Sequence, residues 1–284
     1  MIFYASAFLQ KPLAEHHTLL MFEEINGFMS VMFGMDADKG WSKGLTLLLH
    51  TPGGSPNAAD TVVAYLRAKF KYIEVIVPTY AMSAGTMIAL AADRIIMGRQ
   101  SQLGPIDTQM PIGGTYYSAQ SVVDLFEEAK KDILPNNLDA AHVWAPVLQS
   151  MGPALLQEAK NALAYGGGLV EKWLTSGMFR KRSNAAELAK TTASHFNSAS
   201  THKSHGRRID REEAKRSNLV IEDLERVQAL QEAVLTAYHI ATITFEKTPC
   251  AKFLASHSGR MWVKNIPQVQ TREPSVAIVQ PPQP

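Results

Sequence analysis

Leu45-Thr46-Leu47-Leu48-Leu49-His50, followed at once by Thr51-Pro52-Gly53-Gly54-Ser55-Pro56, decides how the rest of the chain is read. A short apolar run closed by Pro and Gly marks a strand buried on both faces, because a half-exposed strand would alternate polar and apolar residues. A helix follows, with Asn57 as its cap and Ala58, Val62, Val63, Tyr65, Leu66 and Phe70 as its apolar positions. Tyr72-Ile73-Glu74-Val75-Ile76-Val77-Pro78 is a second strand, rich in β-branched residues. A turn carrying Ser83 leads into a small-residue helix over 84–92, and Arg94-Ile95-Ile96-Met97 is a third strand. Strand, helix, strand, helix, strand at this spacing predicts βαβ units and a parallel sheet, an α/β fold.

On either side of this centre the pattern changes. Upstream, Leu19, Leu20, Phe22, Ile25, Phe28 and Met29 recur at helical spacing, and 34–44 reads as a polar connection. Downstream, helices are expected over 121–133, 139–150, 153–164 and 168–175, with Gly166-Gly167-Gly168 as a hinge or helix break. Residues 180–216, rich in Lys, Arg, His, Ser and Asn, read as mostly exposed loop with short helices, one of them opening at Asp210. Leu219-Val220-Ile221 reads as a short closing strand and 224–245 as a long helix. The expected division is a core domain over 1–222, a helical extension over 223–266 and a tail over 267–284 that holds five prolines.

Composition excludes several classes. The 284 residues carry 28 Lys and Arg against 26 Asp and Glu, a net charge of +2, and 46% are hydrophobic. A disordered chain has too little apolar surface for that, and a nucleic-acid binder carries a clear cationic surplus. One cysteine, Cys250, excludes an internal disulfide framework and a multi-cysteine zinc site, and His16-His17 lacks a second ligand pair. Gly166-Gly167-Gly168 is neither a Walker loop nor a dinucleotide fingerprint, so no cofactor is expected. The longest apolar candidate, 84–97, is broken by Asp93 and Arg94 and is too short to span a bilayer. Met1 to Ser6 has no basic stretch before an apolar one, so a cytoplasmic location without a secretory signal is expected.

Two turns carry candidate chemistry, each at the C-terminal end of a predicted parallel strand, where α/β folds place their ligands. Gly53-Gly54 permits close approach of another chain; its plainer reading is a tight strand-to-helix turn. Ala81-Met82-Ser83-Ala84-Gly85-Thr86 sets one hydroxyl among small residues at a helix N-terminus, where backbone N–H groups can stabilise an oxyanion. Its plainer reading is that Ser83 caps the helix. Together the turns read as a nucleophile facing an oxyanion hole.

The blocks from Leu47 to Gly54, Val75 to Thr86, Ile88 to Asp93 and Leu103-Gly104-Pro105-Ile106-Asp107 resemble, in this order, the serine dehydrogenase proteinase family. That family stands with signal peptide peptidase A and the Clp-type proteases in the ClpP/crotonase fold of repeated ββα units. A fainter likeness covers His205-Gly206-Arg207-Arg208-Ile209 and the following Glu212-Glu213-Ala214-Lys215. The resemblance implies that Ser83 is the nucleophile and that Gly53 or Gly54, with Ala84, supplies the oxyanion donors. It also implies a peptide or protein substrate and a homo-oligomer.

The same resemblance sets a lysine on the helix after Leu-Gly-Pro, and there this sequence has Asp124. Lys131, seven residues on, lies roughly 10 Å farther along that helix. In the Clp-type arrangement a histidine would fall near Leu-Gly-Pro, where the sequence has Asp107, and no histidine lies between His50 and His142. The general base is therefore sought elsewhere, with Lys131 and His205 as the candidates. His202, Lys160 and Lys172 stand behind them; Asp107 and Asp124 could orient a base or pair with arginine, their plainer reading being ordinary capping and surface roles. Three readings remain open: a serine peptidase forming an acyl-enzyme on Ser83, an inactive oligomeric scaffold without a base, and crotonase-type chemistry on an acyl thioester.

Overall fold

A computed structural model describes residues 1–33, 44–134 and 136–267. Seven strands form the main sheet in the order β10-β5-β3-β2-β1-β11-β12. They are β1 (Ile2–Ser6), β2 (Leu45–His50), β3 (Ile73–Val77), β5 (Arg94–Met97), β10 (Ile221–Asp223), β11 (Cys250–Ser256) and β12 (Met261–Asn265). From β10 to β1 every pair is parallel, whereas β11 runs antiparallel to β1 and β12 antiparallel to β11. The expected parallel sheet is present, and its continuous apolar runs have the expected cause. Leu47, Leu49, Val75, Val77 and Ile95 face one hydrophobic cluster while Leu48, Ile76 and Ile96 face the other. With both faces covered, successive residues of these inner strands are apolar on either side of the sheet.

Eleven helices of the described residues surround the sheet. They are α1 (Glu15–Thr18), α2 (Glu24–Met32), α3 (Pro56–Lys69), α4 (Ala84–Leu90), α5 (Ala119–Ile133), α6 (Leu138–Met151), α7 (Leu155–Ser176), α8 (Ala185–Phe196), α9 (Ala199–His202), α10 (Arg211–Arg216) and α11 (Gln228–Lys247). A small second sheet, β4-β6-β9, joins Tyr80–Ala81 in parallel to Gln102–Leu103 and the latter antiparallel to Ile209–Asp210. A hairpin, β7 (Gln109–Ile112) and β8 (Thr115–Ser118), turns at Gly113 and Gly114, both at positive φ.

Several expectations are corrected. The first residues are not helix and loop alone: Ile2–Ser6 is a buried inner strand of the sheet. The cap of α3 is Ser55, whose hydroxyl accepts from the Ala58 N–H at 3.3 Å, and not Asn57. Pro56 at the first helical position requires a cap before it. The glycines 166–168 do not break the chain, because α7 runs through them. A Cβ on Gly166 would stand 3.3 Å from Thr108 Oγ1, and one on Gly167 3.1 Å from Asn197 Nδ2. Those two side chains donate to the helix carbonyls of Ala162 and Leu163, so the glycines admit close polar packing. Residues 180–216 are not mostly exposed loop: α8 buries Ala189, Thr192, Ala193 and Phe196. The segment 223–266 holds the expected helix and adds β11 and β12 to the sheet. Of the expected tail and of the connection over 34–44, only Pro267 and Gly44 fall among the described residues.

Candidate active site

Ser83 sits between β4 and α4 with φ 51° and ψ −120°, a conformation that costs a non-glycine residue on the order of 1–3 kcal/mol. The surroundings hold it there. Thr51 N–H donates to Tyr80 C=O and Met82 N–H to Thr51 C=O, both at 3.0 Å. Thr86 Oγ1 donates to Ala81 C=O at 2.7 Å and accepts from Gly104 N–H at 2.9 Å, tying the turn to the Leu-Gly-Pro segment. Gly85 is required for the close approach, since a Cβ there would meet Thr51 Cγ2 at 2.4 Å. The Ser83 side chain makes no capping hydrogen bond, so the reading of this serine as a helix cap is not met.

Gly53, at φ 91°, lies against that turn: a Cβ would be 2.4 Å from Met82 O and 2.8 Å from both Ala84 N and Ser83 Cβ. Its carbonyl accepts from Leu20 N–H at 2.7 Å, and its N–H donates to Thr51 Oγ1 at 3.2 Å. Ser55 N–H donates to Leu20 C=O at 2.9 Å. The two Leu20 bonds therefore flank Gly54 and leave its N–H on the opposite edge. Among the described residues, neither Gly54 N–H nor Ala84 N–H has a hydrogen-bond partner.

His205 Nδ1 donates to Asp107 Oδ1 at 2.8 Å, and Gln109 Nε2 donates to the other carboxylate oxygen at 2.7 Å. Asp107 is only 2% exposed. The small sheet explains the pairing. Leu103 opposes Ile209 in an antiparallel register, so Asp107, four residues beyond Leu103, falls opposite His205, four residues before Ile209. Ala81 pairs in parallel with Leu103, and Ser83 lies two residues beyond it. Ser83, Asp107 and His205 are thus carried to the same end of one three-stranded sheet. The imidazole keeps Nε2 for other partners.

The other candidates lie elsewhere. Lys131, Lys160 and Lys172 have exposed side chains on α5 and α7, and Asp124 is exposed, accepting from Gln120 Nε2 at 2.7 Å. His202 is buried and occupied at both nitrogens: Nε2 donates to His195 C=O at 2.7 Å and Nδ1 accepts from Arg207 at 3.0 Å. Burial, with His195 and Arg207 nearby, holds its imidazole below the ordinary value, as suits a neutral structural ring. Arg207 in turn forks onto Glu213 at 2.7 and 2.9 Å. Asp93 of the third resemblance block is a tie between elements: it accepts from Arg67 at 2.8 Å and Ile73 N–H at 2.7 Å, and pairs with Arg180. Among the described residues, no three His, Cys, Asp or Glu side chains gather as a metal site, and no helix is long and apolar enough to cross a membrane.

The comparisons with known proteins agree with this architecture. The family of ClpP-like SDH-type serine proteinases matches residues 37–181, just over half of the chain. An uncharacterized protein of Methanocaldococcus jannaschii is 46% identical over 90 residues, which cover 32% of this chain and 30% of that protein. Another from the same organism, also uncharacterized, is 32% identical over 136 residues, covering 47% of this chain and 44% of that protein. The chain thus spans less than half the length of these relatives. The family match takes in β2, β3, the Ser83 turn and Asp107, and by it the chain belongs to the ClpP-like SDH-type serine proteinases.

Proposed function

We propose that the protein is a serine peptidase that cleaves peptide bonds by acyl transfer. Ser83 Oγ attacks the carbonyl carbon while His205 Nε2 takes its proton, and Asp107 holds the imidazole through Nδ1–H. The Gly54 and Ala84 N–H groups receive the oxyanion. His205 then returns the proton to the leaving amine. Water, deprotonated by the same imidazole, releases the acid and restores Ser83. Lys131 has no part in this mechanism, and neither has His202.

The observation that carries this reading is the hydrogen bond from His205 to the buried Asp107, at the sheet end that also bears Ser83. A serine hydroxyl is a weak nucleophile without a neighbouring base. The scaffold reading rested on the missing lysine at position 124, and a carboxylate-held histidine removes that ground. Peptide or protein substrates and assembly into a homo-oligomer belong to the same proposal, supported by the family.

A fluorophosphonate probe tests it. Wild-type protein is expected to be labelled at a single site, lost in Ser83→Ala. Equal labelling of the two proteins, or none of either, sinks the proposal.

A further inference from the structure

Lys252 lies on β11, opposite Ser6 of β1, and its side chain is 0% exposed. A buried ammonium is costly unless each proton has a partner. This one donates to Leu19 C=O at 2.7 Å, to Glu23 Oε1 at 2.8 Å and to Glu24 Oε1. Three acceptors occupy its three donors, so it is not a base in waiting. Glu24, also fully buried, accepts from Tyr4 OH at 3.2 Å and from Met21 N–H at 2.7 Å. Burial pushes the Glu24 carboxyl up against the pull of Lys252. Pairing with β1 needs no charge at position 252. The charge is used on the segment 19–24, which the cluster grips at Leu19, Met21, Glu23 and Glu24.

Leu20, inside that grip, makes the two bonds that flank Gly54: its N–H to Gly53 C=O and its C=O from Ser55 N–H. A Cβ on Gly54 would stand 2.3 Å from Leu20 O, so the clamp is in close contact with the glycine it flanks. We propose that Lys252, with Glu24, is a positioning residue for the oxyanion hole: it fixes Leu20, and Leu20 fixes the direction of the Gly54 N–H. This rests on the reading of Ser83 as nucleophile. It extends the site's support to β11, which lies beyond the residues matched by the family. Catalysis is sensitive to such support, because a displacement of about 1 Å can cost on the order of 10²-fold in rate.

The test follows fluorophosphonate labelling of Ser83 and hydrogen exchange of the Leu20 and Ser55 amides in the full chain. Lys252→Met is expected to label about 10²-fold more slowly. Its Leu20 and Ser55 amides should exchange faster, with α3 and α7 protected as in wild type. Glu24→Gln, which keeps an acceptor oxygen but loses the charge, is expected to label about fivefold more slowly. Folded Lys252→Met labelling within twofold of wild type overturns the proposal, and so does slower labelling with unchanged exchange at both amides. Where Lys252→Met does not fold, Glu24→Gln decides by the same twofold criterion. Failure of the underlying reading looks different: wild type is then itself unlabelled, and the positioning role falls with it whatever the exchange rates.

Discussion

His205 and Asp107 are 98 residues apart in sequence and 2.8 Å apart in space, each four residues from a paired residue of a two-residue strand. A carboxylate hydrogen-bonded to Nδ1 selects the tautomer with Nε2 free and steadies the imidazolium formed during catalysis. Asp107→Asn is therefore expected to slow acylation of Ser83 by on the order of 10⁴, and His205→Ala by on the order of 10⁶. Lys131→Ala and Lys160→Ala should label like wild type, their side chains being exposed on α5 and α7. Normal labelling of His205→Ala together with loss in a lysine variant would reassign the base.

Gly53 lies directly against the Ser83 turn. Gly53→Ala puts a methyl 2.4 Å from Met82 O at a φ of 91°. The variant should label at least 10²-fold more slowly and lose about 1–3 kcal/mol of stability, because both the close approach and the positive φ are violated. Urea unfolding alongside the labelling rate checks both halves.

Gly167 and Gly168 of α7 should respond with opposite signs. Gly167→Leu is expected to destabilise by about 1–3 kcal/mol, since it displaces Asn197 from Leu163 C=O. Gly168→Ala meets nothing within 4 Å and should stabilise by roughly 0.5–1 kcal/mol through helix propensity. Thermal or urea midpoints of the two variants decide it. Equal signs would mean that the polar contact of Asn197 does not set the helix position.

His50 predicts a pH dependence. It is 2% exposed, bonded to Thr79 Oγ1 at 3.0 Å and ringed by Phe8, Tyr80 and Tyr238; burial pushes its imidazole from 6.5 down to about 3. Between those two values the unfolded chain binds a proton that the native state does not, so stability rises with pH across this window and is lost as pH falls. The slope from this group approaches about 1.4 kcal/mol per pH unit. His202, shifted down for the same reason, adds in the same direction. Urea unfolding from pH 7.5 to 4.5 should show a shallower fall for His50→Phe than for wild type. Parallel curves would remove His50 from the account.

The sequence by itself determined what depends on neighbours along the chain. Apolar runs ended by Pro and Gly placed β2 and β3, and small residues around Ser83 marked a turn at a helix start. Four blocks in order, the last of them Leu-Gly-Pro, carried the family resemblance. These signals are local, because turn chemistry and strand burial are written within ten or so residues. Tertiary structure alone decided that His205 meets Asp107. Strands of two residues, Gln102–Leu103 and Ile209–Asp210, have no periodicity to read, yet their pairing is what sets His205 against Asp107. The same holds for Lys252: a lysine in an apolar strand looks like a surface charge until its three acceptors, gathered from residues 19 to 24, surround it. It holds for Gly166-Gly167-Gly168 too, read locally as a break and kept helical by Thr108 and Asn197 from other elements. In each case the deciding contact joins segments far apart in the chain, where burial and hydrogen bonding outweigh local propensity.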